Sequence, residues 1–139
     1  GFTSLFSSIS PDRRWIAIQQ RGTQGIELRP WPALDRRWMV DPGGFEPRWR
    51  SATELAFLVP GTTGVFQVTI GGPGTSPVGK REAIVEDPRF ADTPGWSLAF
   101  MPNGDLLYLQ SPGENLGYYV RVVPNWVKAM KRAVDEANR

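Results

Sequence analysis

The 139-residue chain contains no cysteine and no histidine. It therefore cannot build a Ser-His-Asp or Cys-His nucleophile from its own residues, nor a zinc site of His and Cys ligands. Disulfides are excluded as well, so cysteine usage carries no record of the redox compartment. Charge of one sign is scarce: 16 Lys and Arg stand against 14 Asp and Glu, a formal net charge of +2. A nucleic-acid stripe needs a larger excess of one sign, so Arg13, Arg14, Arg36, Arg37, Arg48 and Arg50 read as solvated faces. No run of about 18 apolar residues occurs, so no segment reads as a membrane span. Gly1–Ser10 has neither a basic n-region nor a cleavage pattern, and it does not read as a signal peptide.

Turn-forming residues are abundant instead. Gly (15) and Pro (13) together make about a fifth of the chain, against roughly 12% on average. Such punctuation suits short strands joined by turns. Three segments repeat one pattern of apolar strand, polar turn and apolar strand: Ser8–Ile18, Pro47–Leu58 and Leu98–Leu109. Asn103-Gly104 is the strongest turn among them, because both residues tolerate positive φ. A third strand follows each hairpin, at Ile26–Arg29, Val65–Ile70 and Tyr118–Val123. Within the second of these, Val65, Gln67 and Thr69 alternate with Phe66, Val68 and Ile70, as a strand between two layers requires. Fourth strands are expected at Arg37–Asp41 and Arg81–Val85. Taking Trp15, Leu55 and Leu106 as equivalent gives spacings of 40 and 51 residues, the longer one absorbing the Gly/Pro/Ser-rich loop Gly71–Gly79. A four-stranded unit recurring at roughly 40–50 residues is the signature of a β-propeller blade. The pattern ends at Pro124-Asn125-Trp126, where apolar positions 126, 127, 130, 133, 134 and 137 predict a short helix packing its stripe onto the adjacent blade.

Particular motifs carry a family resemblance. Ser10-Pro11-Asp12-Arg13-Arg14-Trp15-Ile16-Ala17 resembles the S-P-D-G-[RK]-x-[IL]-A hairpin of TolB-like β-propellers, with Arg13 where Gly is usual. Ile26–Pro32, Trp38–Trp49 and Val122–Lys131 are similar to segments in the C-terminal propellers of bacterial serine/threonine protein kinases. The resemblance covers most of the chain in order and is poorest over Gly71–Pro94. It implies a sensor or protein-interaction domain of a larger bacterial protein, lying outside the membrane, with no catalytic residue among the matched motifs. The alternative is the substrate-gating propeller portion of a prolyl-oligopeptidase-like hydrolase whose catalytic domain is elsewhere.

The expected architecture is thus all-β: about three four-stranded antiparallel blades, half of a six-bladed propeller, plus the C-terminal helix. Blade 1 spans about 3–41, blade 2 about 45–86, blade 3 about 93–123, and the helix about 125–137. Propellers close with roughly 4–8 blades. Three blades leave two open flanks, to be covered by the missing blades of a parent chain or by a second copy in a homodimer.

Candidate chemistry is sparse. Gly74–Arg81 has the spacing of a phosphate loop up to Lys80, but Arg81 replaces the Mg²⁺-binding hydroxyl and no adequate helix follows. Ser10-Pro11-Asp12 with Trp15 faintly resembles the Asp box of sialidase-type propellers, yet an Asp in such a turn normally serves the backbone. Neither motif implies a cofactor or a metal. The binding candidates lie near the inner strands: Glu46, Arg48 and Arg50 flank Trp49, and Trp96 enters the third unit. Mixed charge and aromatic surface there suits a peptide or a small anionic ligand.

Overall fold

The computed structural model describes residues 4–20, 25–71, 76–88, 97–110 and 119–123. Among them are eleven strands, β1 (Ser4–Ile9), β2 (Trp15–Gln20), β3 (Ile26–Pro30), β4 (Trp38–Asp41), β5 (Phe45–Trp49), β6 (Glu54–Leu58), β7 (Gly64–Thr69), β8 (Glu82–Glu86), β9 (Leu98–Phe100), β10 (Leu106–Gln110) and β11 (Tyr119–Val123). All pair antiparallel with their sequence neighbours, giving two four-stranded sheets, β1–β4 and β5–β8, and a third sheet of β9–β11. The fold is all-β. The helix expected over 125–137 and the candidate Trp96 lie outside the described residues.

The three hairpins close in the same way. Their last pairs are Ile9 with Ile16, Trp49 with Leu55, and Phe100 with Leu106. Beyond each pair one backbone hydrogen bond of 2.9 Å seals the turn: Ser10 N–H to Trp15 O, Arg50 N–H to Glu54 O, and Met101 N–H to Asp105 O. The equivalent residues are therefore Ile16, Leu55 and Leu106. This corrects the alignment on Trp15 by one position. The first turn is one residue longer than the other two, and apolar spacing alone does not register turn length. A slip of one residue would move every side chain to the opposite face of the sheet. Two left-handed residues shape the turns: Gly104 has φ 84, and Arg13 has φ 58 at the place where the resembling motif carries Gly.

With the register set, each sheet has a forward face toward the next sheet and a backward face toward the preceding one. Ala17, Ile26 and Leu28 on the forward face of the first sheet meet Leu55, Phe57, Val68 and Ile70 on the backward face of the second. Ala56, Leu58, Val65 and Ile84 on the forward face of the second meet Leu98, Leu106 and Tyr108 of the third. The alternation of β7 follows from this, with Val65 in one core and Val68 and Ile70 in the other. Each of these large buried side chains contributes about 1.5–3 kcal/mol. A further feature repeats: β3–β4 and β7–β8 each shift register at equivalent points, Ile26/Glu27 and Val65/Phe66. β5 lies beside β1 on one side and β9 on the other, so the first strands of the three sheets are neighbours.

Candidate functional site

Glu46 occupies a break in the ladder of β5. Pairing jumps from Phe45–Leu58 to Arg48–Ala56, leaving an extra residue at Glu46-Pro47. Pro47 has no N–H to give the ladder, and Glu46 takes φ 53, an uncommon conformation for a residue with a side chain. The bulge turns the groups of Glu46 in two directions. Its N–H donates to Gln19 Oε1 of the first sheet at 3.1 Å, and its Oε1 accepts the Leu98 N–H of the third sheet at 3.2 Å. The side chain is 0% exposed, and Oε2 has no hydrogen-bond partner among the described residues. Glu46 thus joins all three sheets.

The residues flanking it are engaged as well. Arg48 donates to Pro47 O at 3.1 Å, approaches Glu46 Oε1 at 3.5 Å, and lies 5.9 Å from the centre of the Phe6 ring. The Trp49 indole N–H donates to Ser8 O across the first joint at 2.8 Å. Arg50 pairs with Glu54 at 3.1 Å across its own turn. The structure therefore gathers Glu46, Arg48 and Trp49 around the first strands, where all three have partners inside the protein, and sends Arg50 to the turn.

Other buried carboxylates serve the same joints. Asp41 receives Arg81, the residue before β8, at 2.7 Å and the Gly43 N–H at 2.9 Å. Asp87 receives the Tyr108 hydroxyl at 2.9 Å and the Gln110 amide at 2.6 Å, both from the third sheet. Among the described residues, no group of three or more Asp or Glu side chains could hold a metal ion, and no helix is long and apolar enough to cross a membrane.

A second constellation forms at the turn end of the first sheet. Arg13 and Arg14 project from the β1–β2 turn, and Arg36 and Arg37 from the segment before β4; all four are exposed. They are brought together by β3, whose end is fixed to the first turn when Trp31 N–H donates to Arg14 O at 2.9 Å. Two strand spacings separate the pairs, about 10 Å. Trp31 follows β3, the strand that lies between the two pairs, and is 37% exposed. Arg36 covers Trp38 at 5.4 Å, and Trp38 meets the edge of Trp15 at 5.8 Å. Arg37 reaches Glu27 at 3.5 Å and, with Glu27, Trp38 and Met39, lines a pocket of about 260 Å³.

Asp12, in the same turn as Arg13 and Arg14, is occupied by that turn. The Ser10 hydroxyl donates to it at 2.6 Å and the Arg14 N–H at 3.2 Å. The Ser10 hydrogen bond above all, with help from Arg14, holds this carboxyl below its ordinary value of 3.8. The Asp therefore serves the backbone of its turn. The arginines were visible in the sequence, but their meeting was not, because the pairs lie far apart along the chain. No family model, curated protein or solved structure matches this chain.

Proposed function

We propose that this chain is a partial β-propeller of about three TolB-like blades and serves a larger protein as a non-catalytic recognition module for acidic peptide segments. The repeated hairpin closures, the repeated register shift and the neighbouring first strands support the blade reading. The use of Asp41, Glu46 and Asp87 in joints between sheets supports a role in packing over a role in acid–base chemistry. The observation that carries the recognition reading is the placement of Arg13, Arg14, Arg36 and Arg37 at one end of the first sheet, with an exposed Trp31 following the strand between them. Arginine and tryptophan are the residues that most often dominate protein interfaces, and Arg forks match carboxylates. A spacing of about 10 Å between the pairs corresponds to acidic residues about three apart in an extended peptide. The pocket beside Arg37 has room for one side chain of that peptide.

Exposed ion pairs contribute about 0.2–1 kcal/mol each, so four of them with an aromatic contact sum to at most about 5 kcal/mol, an affinity no tighter than about 0.1–1 mM. The test is fluorescence anisotropy of a short labelled peptide with aspartates three apart, against the same peptide carrying asparagines. Binding of the aspartate peptide alone, weakened by salt and by Arg14→Gln with Arg36→Gln, supports the reading. Equal binding of both peptides, or no effect of the double substitution, overturns it. So does tighter binding of a single-stranded oligonucleotide.

A further inference from the structure

We infer that Asn103-Gly104 is a site of spontaneous deamidation, and that the Asp105 carboxylate holds it closed until the β9–β10 turn opens. It is the one Asn-Gly pair in the chain. The chemistry needs no co-reactant but water. The Gly104 nitrogen forms a bond to Asn103 Cγ, the Cγ–Nδ2 bond breaks, and the Gly104 proton leaves with the side-chain nitrogen as ammonia. Water then opens the five-membered imide at either carbonyl, leaving aspartate or isoaspartate where asparagine stood. Two features of the turn favour the reaction. Asn103 is exposed, so water reaches it. Gly104 carries no Cβ, and no described residue beyond its chain neighbours lies within 4 Å of where one would stand, so no side chain crowds the approach to its nitrogen.

The folded turn works against it. Attack requires the Asn103 amide to bring its carbonyl carbon to about 3–3.5 Å from the Gly104 nitrogen, with the lone pair aligned. Both ends of that amide are instead tied to Asp105: Nδ2 donates to Asp105 Oδ2 at 2.8 Å, and Oδ1 accepts the Asp105 N–H at 3.1 Å. The Gly104 N–H is itself committed to Met101 O at 2.8 Å, and Met101 N–H to Asp105 O at 2.9 Å closes the turn around both. Asp105 is 8% exposed and precedes Leu106, a member of the core between the second and third sheets. Its carboxylate is therefore anchored, and the exposed Asn103 side chain is held by it. Opening the turn releases the amide and the nitrogen together. The product cannot remake the clamp, because a second carboxylate then faces Asp105 Oδ2 where a donor stood. Deamidation thus converts a reversible opening of this turn into a permanent one. None of this depends on peptide binding at the first sheet.

The test is incubation of the folded chain at mildly alkaline pH, followed by peptide mapping that separates asparagine, aspartate and isoaspartate at position 103. Asp105→Ala removes the carboxylate and is expected to speed conversion about tenfold, the factor carried by one hydrogen bond to a charged group. Asp105→Asn keeps an acceptor for Nδ2 and should stay near the parent rate. The parent unfolded in urea should convert faster than the folded parent. Equal rates for the folded and unfolded parent, or an Asp105→Ala rate at or below the parent's, overturn the proposal. Asn103→Asp makes the product directly and should lower the melting temperature; an unchanged value would show that the clamp holds nothing, and would overturn the proposal as well. Should Asp105→Ala fail to fold, that last measurement decides alone.

Discussion

Replacing Glu46 by alanine removes the acceptor that ties Leu98 to the second sheet. The Leu98 N–H lies beside a fully buried side chain, at 3.2 Å from Oε1. Leaving such a donor unpaired costs about 1–3 kcal/mol. The space vacated by the carboxyethyl group adds on the order of 1 kcal/mol. Part of this is offset, because burying a carboxylate whose Oε2 has no partner among the described residues is itself unfavourable. The net loss for Glu46→Ala is about 2–3 kcal/mol. Glu46→Gln keeps an acceptor for Leu98 and the same shape, gives up the charge toward Arg48 at 3.5 Å, and is expected to cost about 1 kcal/mol or less. Both variants keep the left-handed backbone at this position, so its strain cancels in the comparison. Urea unfolding followed by tryptophan fluorescence separates the two, with a midpoint lower by about 1–2 M for Glu46→Ala. A Glu46→Ala protein as stable as the parent would refute the tie. Equal damage from Glu46→Gln would show that the charge, not the hydrogen bond, holds the joint.

Three further outcomes follow from the turns. Gly64→Ala would place its Cβ 2.5 Å from the Val85 carbonyl, whereas at Gly104 nothing lies within 4 Å; the first should cost about 1–3 kcal/mol in urea unfolding and the second about 1 kcal/mol from its positive φ alone. Arg13→Gly relieves a side chain at φ 58 and should raise stability by up to about 1 kcal/mol, measured as a higher melting temperature. The Asp12 carboxyl, followed by carbon-detected NMR, should titrate below 3.8. Because its folded value is depressed, its contribution to the first turn is complete above 3.8 and is lost as pH falls through the lower folded midpoint. Ser10→Ala should bring that midpoint back toward 3.8.

The strands were readable in the sequence because their apolar residues and turn residues repeat together. The fourth strands, expected at Arg37–Asp41 and Arg81–Val85, formed at Trp38–Asp41 and Glu82–Glu86. The offset of Trp15 was not readable: it depends on a turn of one extra residue, and Trp15 is as apolar as the Ile16 beside it. Glu46 was singled out as a ligand residue by its charge beside Trp49. Its burial follows from the bulge at Glu46-Pro47, and the proline, which cannot donate to a ladder, was the one local sign of that break. Arg50 was grouped with Trp49 by adjacency, yet a hairpin turn sends adjacent residues to different places. The pairing of Arg13 and Arg14 with Arg36 and Arg37 needed three strands in register before it existed at all.

Hydrogen exchange of the ¹⁵N-labelled protein tests the joints most directly, because each carries one diagnostic proton. The Trp49 indole N–H spans the first joint to Ser8 O, and the Leu98 N–H spans the second to Glu46 Oε1. If the three sheets are held by these joints, both protons exchange only on cooperative unfolding, as slowly as the amides of β6 and β7. Exchange of either at the rate of the exposed turn amides, with β6 and β7 still protected, would contradict the account.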